Sequence, residues 1–442
     1  MISCNFATER LIPFCINLKN LTDMKRNWIF GILGVVVIMT CLLASARGYN
    51  RPSDGASPVN EGVKSTETQG KTCDNNYDFA FSLFRTINGQ QQGDVSTIVS
   101  PVSVSYLLGM LNEGAEGETR RQITEVLGIN GSVQEINEYF KQVTDVASQA
   151  DPAVTVEIAN CINVITGKRL IPQYKTDMRR YYGALAEAVN YDANIIAATI
   201  NKWCKEHTHG MIPEILKKEE LNANRVMYLL NAVYFKAPWT KEFNPKETLD
   251  KDFTKQNGSI VKLPMMHLKT KAAYIHTGPY KMLCLPYGNE SYSMYVLLPE
   301  QGKTVDDVIQ SLTAGRLKSQ QARMTHQTVD ILMPRFTTQS ETQLVDVLTA
   351  MGMPRAFEKN KAEFPNMIQG DSLFVSMMKQ KAKIEVNEKG TKAAAVTVAE
   401  MSSRSAMPRP DYVEFHATRP FVYYIVERST GTIFFMGTYC GD

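Results

Sequence analysis

The sequence predicts an α+β fold, one large unit organised around an extended β-sheet. Three observations carry that reading. Segments with helical spacing crowd the early part of the chain, apolar strand-like runs crowd its last third, and no second polar linker interrupts residues 73–442. Helices segregated from strands in this way argue against alternating βαβ units. No repeat of fixed period stands out.

The first 46 residues read as lying outside the fold. Lys25-Arg26 precedes an apolar run from Trp28 to Leu43, and Ala44-Ser45-Ala46 follows it. A charged segment, an apolar segment and small residues at a cleavage point describe a secretory signal beginning at Met24. Residues 1–23 then form an upstream extension or lie before the true start. The apolar run is also long enough to stay as a membrane anchor. Cys41, after Ile38-Met39-Thr40, makes an imperfect lipoprotein site. Export is the expectation, with the mature chain free, lipid-attached or signal-anchored. Residues 47–72, rich in Pro, Gly, Ser and Thr, read as a polar tether.

Within 73–442, Asn76–Ile87 (NYDFAFSLFRTI) spaces its apolar residues as a helix does. From Val99 the chain reads as an apolar helix, a glycine-marked break and a second helix. Val226–Phe235, Tyr292–Leu298, Thr328–Met333 and Phe421–Val426 read as buried strands. Residues 387–410, NEKGTKAAAVTVAEMSSRSAMPRP, have the composition of helix, strand and loop in succession.

A formal net charge of +3 and the lack of a long Lys/Arg run exclude a nucleic-acid partner on electrostatic grounds. Lys217-Lys218-Glu219-Glu220 and Lys379-Gln380-Lys381 read as solvated faces. Cleavage after Ala46 leaves five scattered cysteines, so buried single thiols are expected rather than disulfides or a zinc site. No G-x-S-x-G elbow occurs. Gly302-Lys303-Thr304 lacks the earlier glycine of a phosphate loop and reads as a turn. His207-Thr208-His209 has no third ligand at matching spacing and reads as structural. No catalytic residues, metal or cofactor are expected.

The segment Lys383–Thr397 (KIEVNEKGTKAAAVT) resembles the hinge of the serpins, the serine protease inhibitor superfamily. Further motifs in family order extend the resemblance over 73–442. Ser100-Pro101-Val102-Ser103 resembles the shutter serines, Asn231–Trp239 (NAVYFKAPW) is similar to a family strand, and Leu285-Pro286-Tyr287 and Met333-Pro334-Arg335-Phe336 look like two more. Phe415, Ala417, Pro420, Phe421 and Thr430 through Gly437 match the C-terminal pattern. The resemblance implies the serpin fold: a large, mostly antiparallel central sheet, smaller sheets, about eight to nine helices and an exposed reactive-centre loop near 388–410.

It also implies residue roles. Glu388, Gly390, Thr391, Ala393, Ala394 and Ala395 fall in the hinge, and Ser100, Ser103, Asn231, Trp239 and Gln380 in the shutter and breach. In inhibitory members the scissile bond lies fourteen residues past the hinge glycine, which is Arg404-Ser405 here. Arg404 suits the carboxylate of a trypsin-like specificity pocket. As a strand, the segment from Thr391 sends Thr391, Ala393, Ala395, Thr397 and Ala399 to one face, all small, and Lys392, Ala394, Val396, Val398 and Glu400 to the other.

The implied activity is suicide-substrate inhibition of a trypsin-like serine protease through a covalent acyl complex. The alternatives are a non-inhibitory binding or chaperone-like member and a cross-class inhibitor of cysteine proteases. Gln380 stands where many members carry a buried histidine. Lys141 is the single basic residue over Val133–Gln149, which argues against heparin. A monomer is expected.

Overall fold

In the computed structural model of the chain, which describes residues 67–442 except 92–94, 166–168, 222–226, 371–372 and 392–411, the first element is helix α1 (Glu67–Gln90). It starts inside the stretch expected to be a polar tether. Composition marks polarity rather than conformation, and Glu, Thr and Gln are all compatible with a first helical turn. The residues before it, including the stretch expected to be a secretory signal, lie outside the described residues.

Strand β1 (Thr97–Val99) leads into α2 (Pro101–Gly114), then α3 (Gly117–Leu127) and α4 (Val133–Gln149). Every residue of α2 but Glu113 is buried, so this helix crosses the interior. Pro101 opens it at a position where the missing N–H costs nothing. α3 ends at Gly128, whose φ of 66° suits a residue without a Cβ. α4 starts on a reciprocal Ser132–Glu135 capping box.

Strand β2 (Thr155–Ile165), α5 (Pro172–Tyr182), β3 (Leu185–Val189), α6 (Ala193–His207) and β4 (Met227–Pro238) follow. After them come β5 (Leu249–Thr254), β6 (Ile260–His276), β7 (Tyr280–Tyr287), β8 (Tyr292–Pro299), α7 (Val305–Ser311) and α8 (Ala314–Ala322). The chain closes with β9 (Thr325–Pro334), β10 (Phe336–Gln343), α9 (Leu344–Ala350), β11 (Met377–Asn387), β12 (Gly390–Thr391), β13 (Val413–His416), β14 (Phe421–Glu427) and β15 (Ile433–Tyr439). The four strand runs expected from sequence fall within β4, β8, β9 and β14 but for Val226, which lies outside the described residues.

Two sheets result. One runs β1-β15-β14-β8-β7-β6-β9-β13 with β5 added on β6. The smaller sheets expected are continuous here because β6, 17 residues long, pairs with β5 and β9 over most of its length and with β7 at its end. The other sheet, in the order β10-β11-β12-β4-β2-β3, carries the site. Its pairings are antiparallel except β2 with β3 and β4 with β11.

The faces of β4 separate two cores. Leu229, Val233, Phe235 and Ala237 point into the main core with α2, whereas Tyr228, Leu230, Ala232 and Tyr234 pack under α6 and residues 211–221. Cys161, Cys204 and Cys284 are free, buried thiols, and Cys440 is buried as well. Burial pushes the Cys161 and Cys204 thiols up to about 12, which keeps them protonated and unreactive.

Candidate functional site

Parallel strands β4 and β11 pair from Tyr228↔Met377 to Ala232↔Lys381. Beyond that point they part, and β12 lies between them. β11 turns at Glu388-Lys389 and returns, so that Thr391 faces Val386 on one side and Ala237 on the other. The seam of the sheet is therefore closed along one stretch and filled by a returning two-residue strand at the other end.

The returning strand is held by particular contacts. Gly390 has φ 144°, and a Cβ there would come 2.1 Å from the Ala237 carbonyl oxygen, so only glycine permits this approach. Thr391 is fully buried, with its Oγ1 2.7 Å from the Tyr287 hydroxyl. Trp239 stacks on Tyr287 with ring centroids 4.3 Å apart and donates from Nε1 to the Asn387 carbonyl at 2.9 Å. The backbone N–H groups of Trp239 and Phe243 donate to the carbonyls of Lys389 and Glu388.

Glu388 accepts from Arg335 Nη2 at 2.5 Å and from Thr248 Oγ1 at 2.7 Å. Burial alone would raise its carboxyl, but those hydrogen bonds outweigh burial and hold it below the usual carboxylate range. A lowered carboxylate pKa contributes stability at pH above the unfolded value, and that contribution fades as pH falls through the folded one. Arg335 is half exposed, which discounts the pair, so Glu388→Gln is expected to cost about 1–2 kcal/mol at pH 7. It should also lessen the loss of stability below pH 4.5, the ordinary value for this group. Thermal melts from pH 7 to 3 read both effects, and a variant curve parallel to wild type throughout would remove Glu388 from the account.

A second cluster lies lower in the seam, where β4 and β11 are still paired and Gln380 sits opposite Asn231. Gln380 grips the Ser100 backbone at two points: its Oε1 accepts from Ser100 N at 2.8 Å and its Nε2 donates to Ser100 O at 3.0 Å. The same Nε2 reaches Asn231 Oδ1 at 3.3 Å. Asn231 Nδ2 donates to Asn160 Oδ1 at 2.9 Å, and Ser100 Oγ donates to Ser103 Oγ at 2.9 Å. All five residues are buried. A network this enclosed is stabilising only while each member keeps its partners.

The residues singled out from sequence thus gather in two places. Ser100, Ser103, Asn231 and Gln380 form the lower cluster; Trp239, Glu388, Gly390 and Thr391 form the upper one. Ala393, Ala394, Ala395, Arg404 and Ser405 lie outside the described residues. The run Lys379-Gln380-Lys381, read as a solvated face, is corrected: Lys379 and Gln380 are buried, because β11 is an interior strand with β10 on one side and β4 on the other. Sequence reasoning assigned no site role to Asn160, Thr248, Tyr287 or Arg335. Tyr287 and Arg335 stand inside motifs that were noticed, but nothing local shows that they meet the turn and strand at 388–391. His209 pairs with Glu157 and Thr208 caps α6, a structural role as expected.

The sequence matches the family description Serpin (serine protease inhibitor) over residues 74–441. Human neuroserpin is 30% identical over 354 residues, which cover 78% of this chain and 85% of that one. The native structure of the thermophilic serpin tengpin is similar with a TM-score of 0.78 at 27% identity, covering 88% of this chain and 97% of its own. Human thyroxine-binding globulin, solved in complex with thyroxine, is similar with a TM-score of 0.77 at 26% identity, covering 84% of this chain and 98% of its own.

Proposed function

The chain belongs to the serpin family of serine protease inhibitors, and we propose that it is an exported suicide-substrate inhibitor of trypsin-like serine proteases, cut at Arg404-Ser405. The observation that supports this most directly is β12, a start of the hinge that already occupies the seam between β4 and β11. Continued in the same antiparallel register, the chain after Thr391 would place Ala393 between Phe235 and Ile384, Ala395 between Val233 and Ala382, and Thr397 between Asn231 and Gln380. Each of those neighbours faces the main core or the lower cluster, where small side chains fit best. Nine more residues, 392–400, would fill the seam down to Tyr228 and Met377, a travel of about 30 Å at strand rise.

The chemistry is the target's own. Its serine Oγ attacks the Arg404 carbonyl carbon, the peptide bond to Ser405 breaks, and the new α-amino group takes the proton and leaves, giving an acyl-enzyme ester. Insertion then drags the protease along the sheet before water can hydrolyse the ester. Loss of one oxyanion-hole donor alone removes ~3–4 kcal/mol of transition-state stabilisation, slowing release by about 10²–10³. The uncut protein is on this reading held in its native form by a barrier rather than by being the most stable state. The inhibitor works as a monomer, free or tethered through its N-terminal region. Heparin is not expected to activate it, since Lys141 is the single basic residue of α4 and pairs with Asp145.

A binding or carrier role is the second reading, supported by the likeness to thyroxine-binding globulin; capture of cysteine proteases through a thioester is a variant of the first. Mixing the purified protein with trypsin near equimolar, followed by denaturing electrophoresis and intact mass analysis, decides among them. A covalent species at the summed mass less that of the released peptide, which begins at Ser405, is expected. Clean cutting after Arg404 without a complex would move the protein to the binding class, and a complex with papain but not trypsin would move it to the cysteine-protease class.

A further inference from the structure

The outer face of the seam is fastened by a buried lysine. Lys379 on β11 has no exposed side-chain surface, and its ammonium meets Glu220 Oε1 at 2.5 Å and Glu341 Oε1 at 2.7 Å. These carboxylates lie on opposite sides. Glu341 belongs to β10, which pairs with β11 on the side away from β4. Glu220 belongs to the segment that leads from α6 towards β4, and Ile212, Leu216 and Leu221 of that segment pack in one core with Leu230, Ala232 and Met377. Two residues along, Lys381 Nζ donates to the Glu214 carbonyl of the same segment at 2.9 Å. The segment therefore covers the seam and is pinned to its far bank.

We propose that the Lys379–Glu220 pair is a latch across the seam that sets how fast the cut loop enters the sheet, and so how the acyl intermediate divides between trapping and hydrolysis. This rests on the insertion reading given above. In the continued register Val398 comes beside Leu230 and Lys379, and Val396 beside Ala232 and Lys381, both on the covered face. Those two branched side chains need the volume that the covering segment occupies, so the segment must lift and the Lys379–Glu220 contact must open. Glu341 stays with Lys379 throughout, because β10 and β11 move as one ladder. The charge is then never left alone, and the rate depends on the bond that spans the seam rather than on the one that does not.

The test compares Glu220→Gln with Glu341→Gln in the full chain. Both replace one carboxylate by an amide of the same shape, and both should lower the melting temperature by similar amounts. A synthetic peptide of residues 391–404 is added without protease, and its incorporation is followed by native electrophoresis. Glu220→Gln is expected to speed incorporation by roughly tenfold, the effect of one charge-assisted bond. It should also raise the fraction of trypsin trapped per loop cut. Glu341→Gln should stay within about twofold of wild type in both assays, by the same bond arithmetic. Equal acceleration by the two variants, or none from Glu220→Gln while peptide enters wild type, overturns the latch and leaves the insertion reading intact. No entry of peptide into wild type or either variant overturns the insertion reading and the latch together.

Discussion

Thr391→Arg is expected to fold and to be cut by trypsin, but to form no detectable covalent complex. Thr391 is the last residue of β12, fully buried between Val386 and Ala237 with its hydroxyl on Tyr287. An arginine at that place would have to bury a guanidinium beside the stacked Tyr287 and Trp239 rings. The nearby Glu388 carboxylate is already engaged by Arg335 and Thr248. An unpaired buried charge costs several kcal/mol, more than a two-residue strand returns through its ladder bonds. β12 would therefore leave the seam.

The rest of the fold should tolerate that loss. β12 contributes only Gly390 and Thr391 to the sheet, while β4 keeps its long ladder with β2 and β11 keeps its ladder with β10. The melting temperature should fall by a few degrees at most, and the yield of trypsin complex should fall by more than about 100-fold, since each 1.4 kcal/mol on the insertion step is a factor of ten. Thr391→Ser, which keeps a small side chain and the hydroxyl, is the control and should trap like wild type. Complex formation by Thr391→Arg at the wild-type yield would sink the insertion reading. The readout is a gel and a melting curve on the same samples.

The parts of this site that were legible in the sequence share a physical basis. A strand alternates its faces, so the run of small residues from Thr391 to Ala399 reads as one face without any partner being known. Apolar runs such as Tyr292–Leu298 read as interior strands for the same reason. What stayed hidden depends on contacts between distant segments. Lys379 looks like part of a charged surface run, yet long-range pairing places β11 inside a sheet and brings Glu220 and Glu341 to the ammonium. Trp239 belongs to a motif shared with Asn231, but eight residue steps separate them by roughly 26 Å, so one holds the turn between β11 and β12 and the other joins the lower cluster. The start of α1 at Glu67 was missed because polar residues in a first turn give no periodic signal.

Gln380 carries the other large expected effect. Its amide gives the Ser100 backbone a donor and an acceptor side by side, at 3.0 and 2.8 Å, and still reaches Asn231. Gln380→Leu keeps a similar volume but leaves the Ser100 N–H and the Asn231 Oδ1 without that partner in a site closed to water, while the Ser100 carbonyl keeps the Val104 N–H. At about 1–3 kcal/mol for each of the two buried groups left unpaired, offset in part by the added apolar surface, the net loss should be about 2–4 kcal/mol. The bond tying β4 to β11 at this level goes with it. The variant should therefore melt several degrees lower and take up the 391–404 peptide faster than wild type. Gln380→His separates geometry from simple polarity. An imidazole carries its two nitrogens on diverging directions and cannot hold both Ser100 groups at once. Its burial lowers its own pKa, so the unfolded chain gains a proton first as pH falls, and stability should decline from about pH 6.5 downward. Wild type has no titrating group at this position and should show no such decline from it. Denaturant melts of the three proteins at pH 7.5 and 5.5 measure the difference. Equal losses for both variants at the two pH values would mean that the seam is held by packing alone, with the amide's two-point grip contributing nothing.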